Sequence, residues 1–170
     1  MSDPTLLRRT IFGQFQAALS MLNECIEKCP EDHWDGLIAK YPFWQVVYHT
    51  LCFVDLYLER DEREFRTREQ FHPRGMAELD DEYPSRQFTK SELLAYVAAC
   101  RAKLDAALGD GPCAETPEVL AGPSGHTRRD FSRAEMHVYS TRHVQHHTGQ
   151  LSAFLRRVSV DTRWVGKGWR

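Results

Sequence analysis

Between residues 4 and 29 the apolar side chains Leu7, Ile11, Phe15, Ala18, Leu19, Leu22 and Ile26 fall three or four positions apart, with polar residues between them. That spacing matches the turn of an α-helix and predicts one over residues 4–29. Pro4 suits its first turn, and Pro30 lies beyond its end because proline disfavours helix in the residue before it. Residues 43–59 are apolar nearly all round, and the length of the run without internal Gly or Pro predicts a buried helix rather than a strand. A third helix is predicted over 89–108, where Thr89 and Glu92 form a capping-box pattern ahead of Leu93, Tyr96, Val97, Cys100, Leu104 and Leu108, with Gly109 as the stop. Ser132 and Glu135 repeat the capping pattern at the head of a fourth helix, predicted over 132–158.

The connections differ in character. Residues 30–42 read as a linker carrying Trp34 and Leu37. Residues 59–88 are strongly charged and contain Pro73, Gly75 and Pro84; so long a connection usually crosses over one end of a domain or covers a site. Phe65, Phe71, Tyr83 and Phe88 predict that part of it packs down. Residues 109–130 are rich in Gly and Pro and read as loop, and the tail holds Trp164 and Trp169 without a period. Four helices and no convincing strand predict an all-α four-helix bundle, one domain over 1–170, with a long connection between the second and third helices.

Composition narrows the function classes. Hydrophobic residues at 42% and charged residues at 27% describe an ordinary globular chain, which argues against general disorder. The formal net charge of −2 provides no basic field, so nucleic acid is not an expected partner. No apolar run reaches bilayer length and the start lacks an apolar signal core, so no membrane association is expected and the cytoplasm is the expected location. None of the five cysteines lies in a C-x-x-C pair; Cys52 and Cys100 read as buried hydrophobes in a reducing compartment, and the spacing of Cys25 and Cys29 permits metal binding without arguing for it.

The candidate chemistry is imidazole. Four of the eight histidines, His137, His143, His146 and His147, fall in the predicted fourth helix. His143 and His147 are four residues apart and project from one helical face, where both could hold a single ion. The ridge through them runs Tyr139, His143, His147, Leu151, Leu155, so the pair is expected to continue an apolar stripe, and it reads equally as packed core histidines or as ligands. His146 lies about 100° round the helix, on the ridge of Arg142 and Gln150. His49 is the one histidine in the apolar second helix, where a metal or a buried hydrogen bond would each satisfy it. A bundle could bring His49 and the His143/His147 pair together in its core. His126 sits in a loop with no partner at metal-binding spacing.

With Tyr48-His49 in an apolar second helix and His143-Val144-Gln145-His146-His147-Thr148-Gly149-Gln150-Leu151 in the last, the sequence resembles the DinB/YfiT-like superfamily of small metal-binding helical bundles. The resemblance implies that His49, His143 and His147 are metal ligands and that the chain forms a homodimer. It further implies metal-dependent chemistry with a low-molecular-weight thiol, since the superfamily includes transferases and isomerases of that kind. Three neutral imidazoles leave one position of a divalent ion open, with zinc the first expectation and nickel also suited to such a site. The expected activity is therefore transfer of a low-molecular-weight thiol to a small electrophilic substrate. A metal-dependent hydrolase and a non-enzymatic binding or stress-response protein with a structural metal are the alternatives. Tyr139 and Gln150, one turn before and after the histidine pair, are candidates for orienting the bound ligand or a histidine's second ring nitrogen.

Overall fold

Four long helices form where the apolar spacing predicts them, in a computed structural model that describes residues 3–80, 84–127 and 130–170. Helix α1 spans Leu6–Lys28, followed by a two-stranded hairpin of β1, Leu37–Ile38, and β2, Tyr41–Pro42. Helix α2 spans Phe43–Tyr57, and the short α3, Ala77–Asp80, lies within the long connection. Helix α4 spans Lys90–Leu108, the short α5 is Pro117–Ala121, and α6 spans Arg133–Arg157. Tyr83, expected to help pack the connection down, lies outside the described residues. Two expectations are corrected. The linker at 30–42 contains the hairpin, whose strands are too short to show alternation, and the loop at 109–130 contains α5, started by Thr116 as N-cap and Pro117 in its first turn.

Both capping boxes are made. Thr89 N–H donates to Glu92 Oε2 at 2.8 Å and Ser132 N–H to Glu135 Oε2 at 2.8 Å, while each N-cap hydroxyl oxygen accepts from the amide three residues on. Helix α1 packs against α4 and α6, and α2 packs against the same two helices, so α1 and α2 lie on opposite corners of the bundle. The core between them is built from fully buried apolar side chains, among them Phe15, Leu22, Phe43, Leu51, Leu104, Val144 and Leu151. Each such side chain contributes about 1.5–3 kcal/mol by leaving water.

Two polar networks lock the connections onto this frame. The first is centred on Arg133, 1% exposed, whose guanidinium donates to the carbonyls of Tyr57, Leu58 and Glu59 at 2.7–2.9 Å and to Glu115 Oε1 at 2.9 Å. It thereby satisfies the last carbonyls of α2, which a helix end leaves without partners. Glu115 in turn accepts from His137 Nε2 at 2.9 Å; burial opposes its charge, but His137 and Arg133 together hold its carboxyl below the usual range. The second network joins the long connection to α2 and α4. Arg68 N–H donates to His72 Nδ1 at 3.2 Å, so Nε2 carries the hydrogen, donating to the Tyr96 hydroxyl at 2.8 Å, and Tyr96 donates to Asp55 Oδ2 at 3.1 Å. Phe71 stacks on Tyr96 with ring centroids 4.1 Å apart, and Phe88 stacks on Tyr48 at 4.3 Å. The connection is therefore fastened at Phe71, His72 and Phe88. The tail also packs: Gly168 N–H donates to Gly13 O at 2.8 Å, and Val165 is buried with Ala17 and Met21. None of the helices among the described residues is long and apolar enough to cross a membrane.

Candidate metal centre

Helices α2 and α6 are neighbours, and the histidines lie on the seam between them. Along α2, His49, Phe53, Leu56 and Tyr57 recur at spacings of three and four and form a side of this helix that opens to a cleft. Across from it, α6 presents Tyr139, His143 and His147. One ligand nitrogen from each of His49, His143 and His147 lies within 4.8 Å of the others, a grouping of His, Cys, Asp and Glu donors found nowhere else among the described residues.

The position of this group corrects the stripe read along α6. A spacing of four advances about 400° in a helix with a 100° step, so a ridge of four such steps turns about 160° round the axis. Tyr139, His143 and His147 consequently face the cleft, whereas Leu151 and Leu155, on the same ridge, enter the core. The buried stripe of α6 is instead Met136, His137, Ser140, Val144, Thr148 and Leu151. The imidazoles of His143 and His147 are half-buried and that of His49 is open to the cleft, an environment suited to ligands that must meet an incoming molecule. His146 is exposed and lies outside the group of three.

His49 Nε2 and His143 Nε2 are 3.3 Å apart, and the three ring centroids are separated by 4.7–5.3 Å. Nitrogens about 2.0–2.1 Å from one tetrahedral ion stand roughly 3.3–3.4 Å from each other, so this pair already has the spacing that shared coordination requires. Neutral imidazoles are needed for that role. Burial, reinforced by the neighbouring His147 ring, lowers the pKa of His49 to about 4, and burial with His147 and His49 beside it lowers that of His143 to about 3. Burial also lowers His147, against the opposing hydrogen bond that its ring donates to Gln150. The Oε1 of Gln150 lies 2.9 Å from His147 Nδ1. An amide oxygen only accepts, so Nδ1 carries the hydrogen and the Nε2 lone pair is free to ligate. The Nδ1 of His143 is buried without a hydrogen-bond partner, and its ring is held by packing against Phe53 and Tyr57.

Two cavities flank the group, and His49, Phe53 and the α3 residue Leu79 line both. The long connection thus contributes to the walls of both cavities. The larger cavity, about 620 Å³, is lined further by His143, Tyr57, Tyr139, His126, Glu62 and Arg63. The smaller, about 450 Å³, is lined by His147, Gln150, Val46 and the hairpin residues Ile38, Ala39 and Tyr41. Tyr139 therefore stands on the wall of the larger cavity, packed edge-on to Tyr57 with centroids 5.6 Å apart, and Gln150 stands at the smaller one.

His126 is the cavity residue that spacing along the chain could not find. Its Nε2 lies 3.1 Å from the Glu59 carbonyl, which can only accept, so Nδ1 is left unprotonated 3.8 Å from Glu62. The loop reaches this position through Gly125, whose φ of +77° few other residues adopt and whose carbonyl accepts from Glu62 N–H at 3.1 Å. A Cβ there would stand 1.8 Å from Arg60 O. The only signal in the sequence is a Gly-His step in a loop, which is too common to single out.

Among the curated proteins compared, none matches the chain. The family model of the DinB superfamily matches residues 14–151, a span that holds the three grouped histidines and Gln150, and the chain belongs to that superfamily.

Proposed function

We propose that the protein is a metal-dependent transferase that joins a low-molecular-weight thiol to a small electrophile, with His49, His143 and His147 holding one divalent ion. The observation that carries the reading is the grouping of three imidazole nitrogens on the wall shared by two cavities. No fourth His, Cys, Asp or Glu among the described residues completes the group, which leaves room for a ligand from solution where a structural site would be closed by protein. Zinc suits the donor set best, and nickel also fits it. When bound, such an ion stabilises a thiolate at neutral pH and so supplies the nucleophile.

The residues of the chain do the rest. Partial desolvation and the neighbouring rings disfavour protonation of the imidazoles, Gln150 accepts from the ring of His147, and Phe53 and Tyr57 pack against that of His143. Leu79 lines both cavities beside His49. Two separate cavities favour a reaction of two organic partners over hydrolysis, which needs space for one.

Bound metal in four single variants, expressed without an affinity tag that leaches nickel, tests the site. His49→Ala, His143→Ala and His147→Ala should each lose the ion, because two imidazoles do not hold it in an open site, and His146→Ala should retain it. Loss in His146→Ala with retention in His147→Ala would reverse the assignment. Retention in all four would remove it. Protein loaded with zinc should then consume a thiol and an electrophile in equal amounts, and hydrolysis of the electrophile without thiol consumption would favour the hydrolase.

A further inference from the structure

The two cavities that meet at the histidines differ in charge. Glu62 and Arg63 stand on the wall of the larger one, with His126 beside them. No formally charged side chain is found among the described residues lining the smaller one, where Ile38, Ala39, Val46, Phe53 and Leu79 form most of the surface. Its polar lining groups are Tyr41, Gln45 and Gln150, with His49 and His147 at its mouth. We infer that the smaller cavity selects an uncharged, apolar organic group, the body of the electrophile, and that charged portions of either reactant are confined to the larger cavity. This rests on the proposed transfer reaction and names the substrate class on one side of it.

Size and polarity agree. A cavity of about 150 Å³ suffices for one benzene ring, and the 450 Å³ here takes a group of one or two rings with its reactive carbon directed at the histidines. A neutral ring gains from leaving water in proportion to its apolar area. An ionised group in the body of the cavity, away from the histidines at its mouth, would lose its hydration with no charged side chain among the lining residues to replace it. Ala39 lines the cavity from its exposed hairpin rim. It occupies the hairpin turn with a φ of +54°, in the left-handed region that alanine adopts only at a cost, so a longer side chain here is a test of whether the lining admits more bulk.

Three probes of one ring and different charge decide the matter: benzyl alcohol, benzoate and benzylamine, titrated into the metal-free protein and followed by methyl resonances. Benzyl alcohol should bind about tenfold or more tightly than either ion, moving the methyls of Ile38, Ala39 and Val46. Ala39→Leu should weaken it about tenfold by filling the space. Ile38→Asp, which leaves the turn alone, should weaken it similarly and shift the preference toward benzylamine, so the result does not depend on how well the Ala39 variant folds. Equal binding of the three probes, absence of saturable binding, or binding that is lost in Arg63→Ala and kept in Ile38→Asp would overturn the inference. Because these titrations need neither metal nor thiol, they stand or fall apart from the transfer reaction, whose failure would appear as missing thiol consumption with probe selectivity intact.

Discussion

At the scale of single residues, the site works through lone pairs and their orientation. Gln150 is exposed apart from its contact with His147, so Gln150→Leu should leave the fold unchanged and weaken metal binding about 10- to 100-fold by releasing the ring from its acceptor. Competitive titration with a chelator measures this, and an unchanged affinity would mean that packing alone orients His147. A second prediction concerns Gly125. Gly125→Ala should cost about 1–3 kcal/mol in denaturant unfolding, since the new methyl meets Arg60 O and the φ of +77° is unfavourable for alanine. A neutral result would show that the loop carrying His126 moves freely. Two of the three grouped histidines were legible in the sequence because His143 and His147 share a helix and their spacing is local, whereas His49 comes from another helix and joins them only through packing. His126 was not, since its place depends on a loop closing against residues 59–62 through contacts distant in sequence, Glu62 N–H to the Gly125 carbonyl and His126 Nε2 to the Glu59 carbonyl.

At the scale of elements, the helices announce themselves through capping boxes and apolar period, and the observed boundaries of the four long ones fall within two residues of the expected ones. The hairpin does not, because strands of two residues have no period to read, although it supplies one wall of the smaller cavity. Nor does the stripe of α6, where adding fours along the chain outruns the true turn and carries the ridge from cleft to core. The Arg133 cluster is equally hidden in sequence: a basic residue next to an N-cap reads as solvent-exposed, yet this one is buried and caps α2 from outside. Arg133→Met should therefore destabilise the protein by about 3–5 kcal/mol, leaving Glu115 buried without its countercharge and three carbonyls without donors. Urea unfolding reads the loss, and a variant as stable as the parent would show that water replaces the guanidinium at no cost.

At the scale of the whole molecule, six of the eight histidines have pKa values lowered chiefly by burial, including His72, His126 and His137 away from the three-histidine group. In the unfolded chain they titrate near 6.5. Below that value the unfolded state binds more protons than the folded one, so the stability their neutral forms allow is fully present above about pH 6.5 and is lost as pH falls toward the folded values. The urea midpoint should hold steady from about pH 8 to about pH 7 and decline between about pH 6.5 and about pH 5. A midpoint that rose on acidification would contradict the directions of these shifts. The bundle itself was readable from four periodic segments, whereas the partition of its cleft into two cavities of different charge was not, because it arises from three connections converging over the α2/α6 seam.

That seam joins an early helix to the last one, and this bears on how the protein is made. His49 precedes His143 by 94 residues. At a synthesis rate of about 5–20 residues per second, a ribosome needs roughly 5–20 s to bring the second histidine into being after the first. Until then the growing chain carries a lone imidazole on an apolar helix with no partner to form a chelate. Any ion the site takes is thus taken by a finished chain whose last helix has docked, and the choice among metals falls to what the surrounding cell has free at that moment.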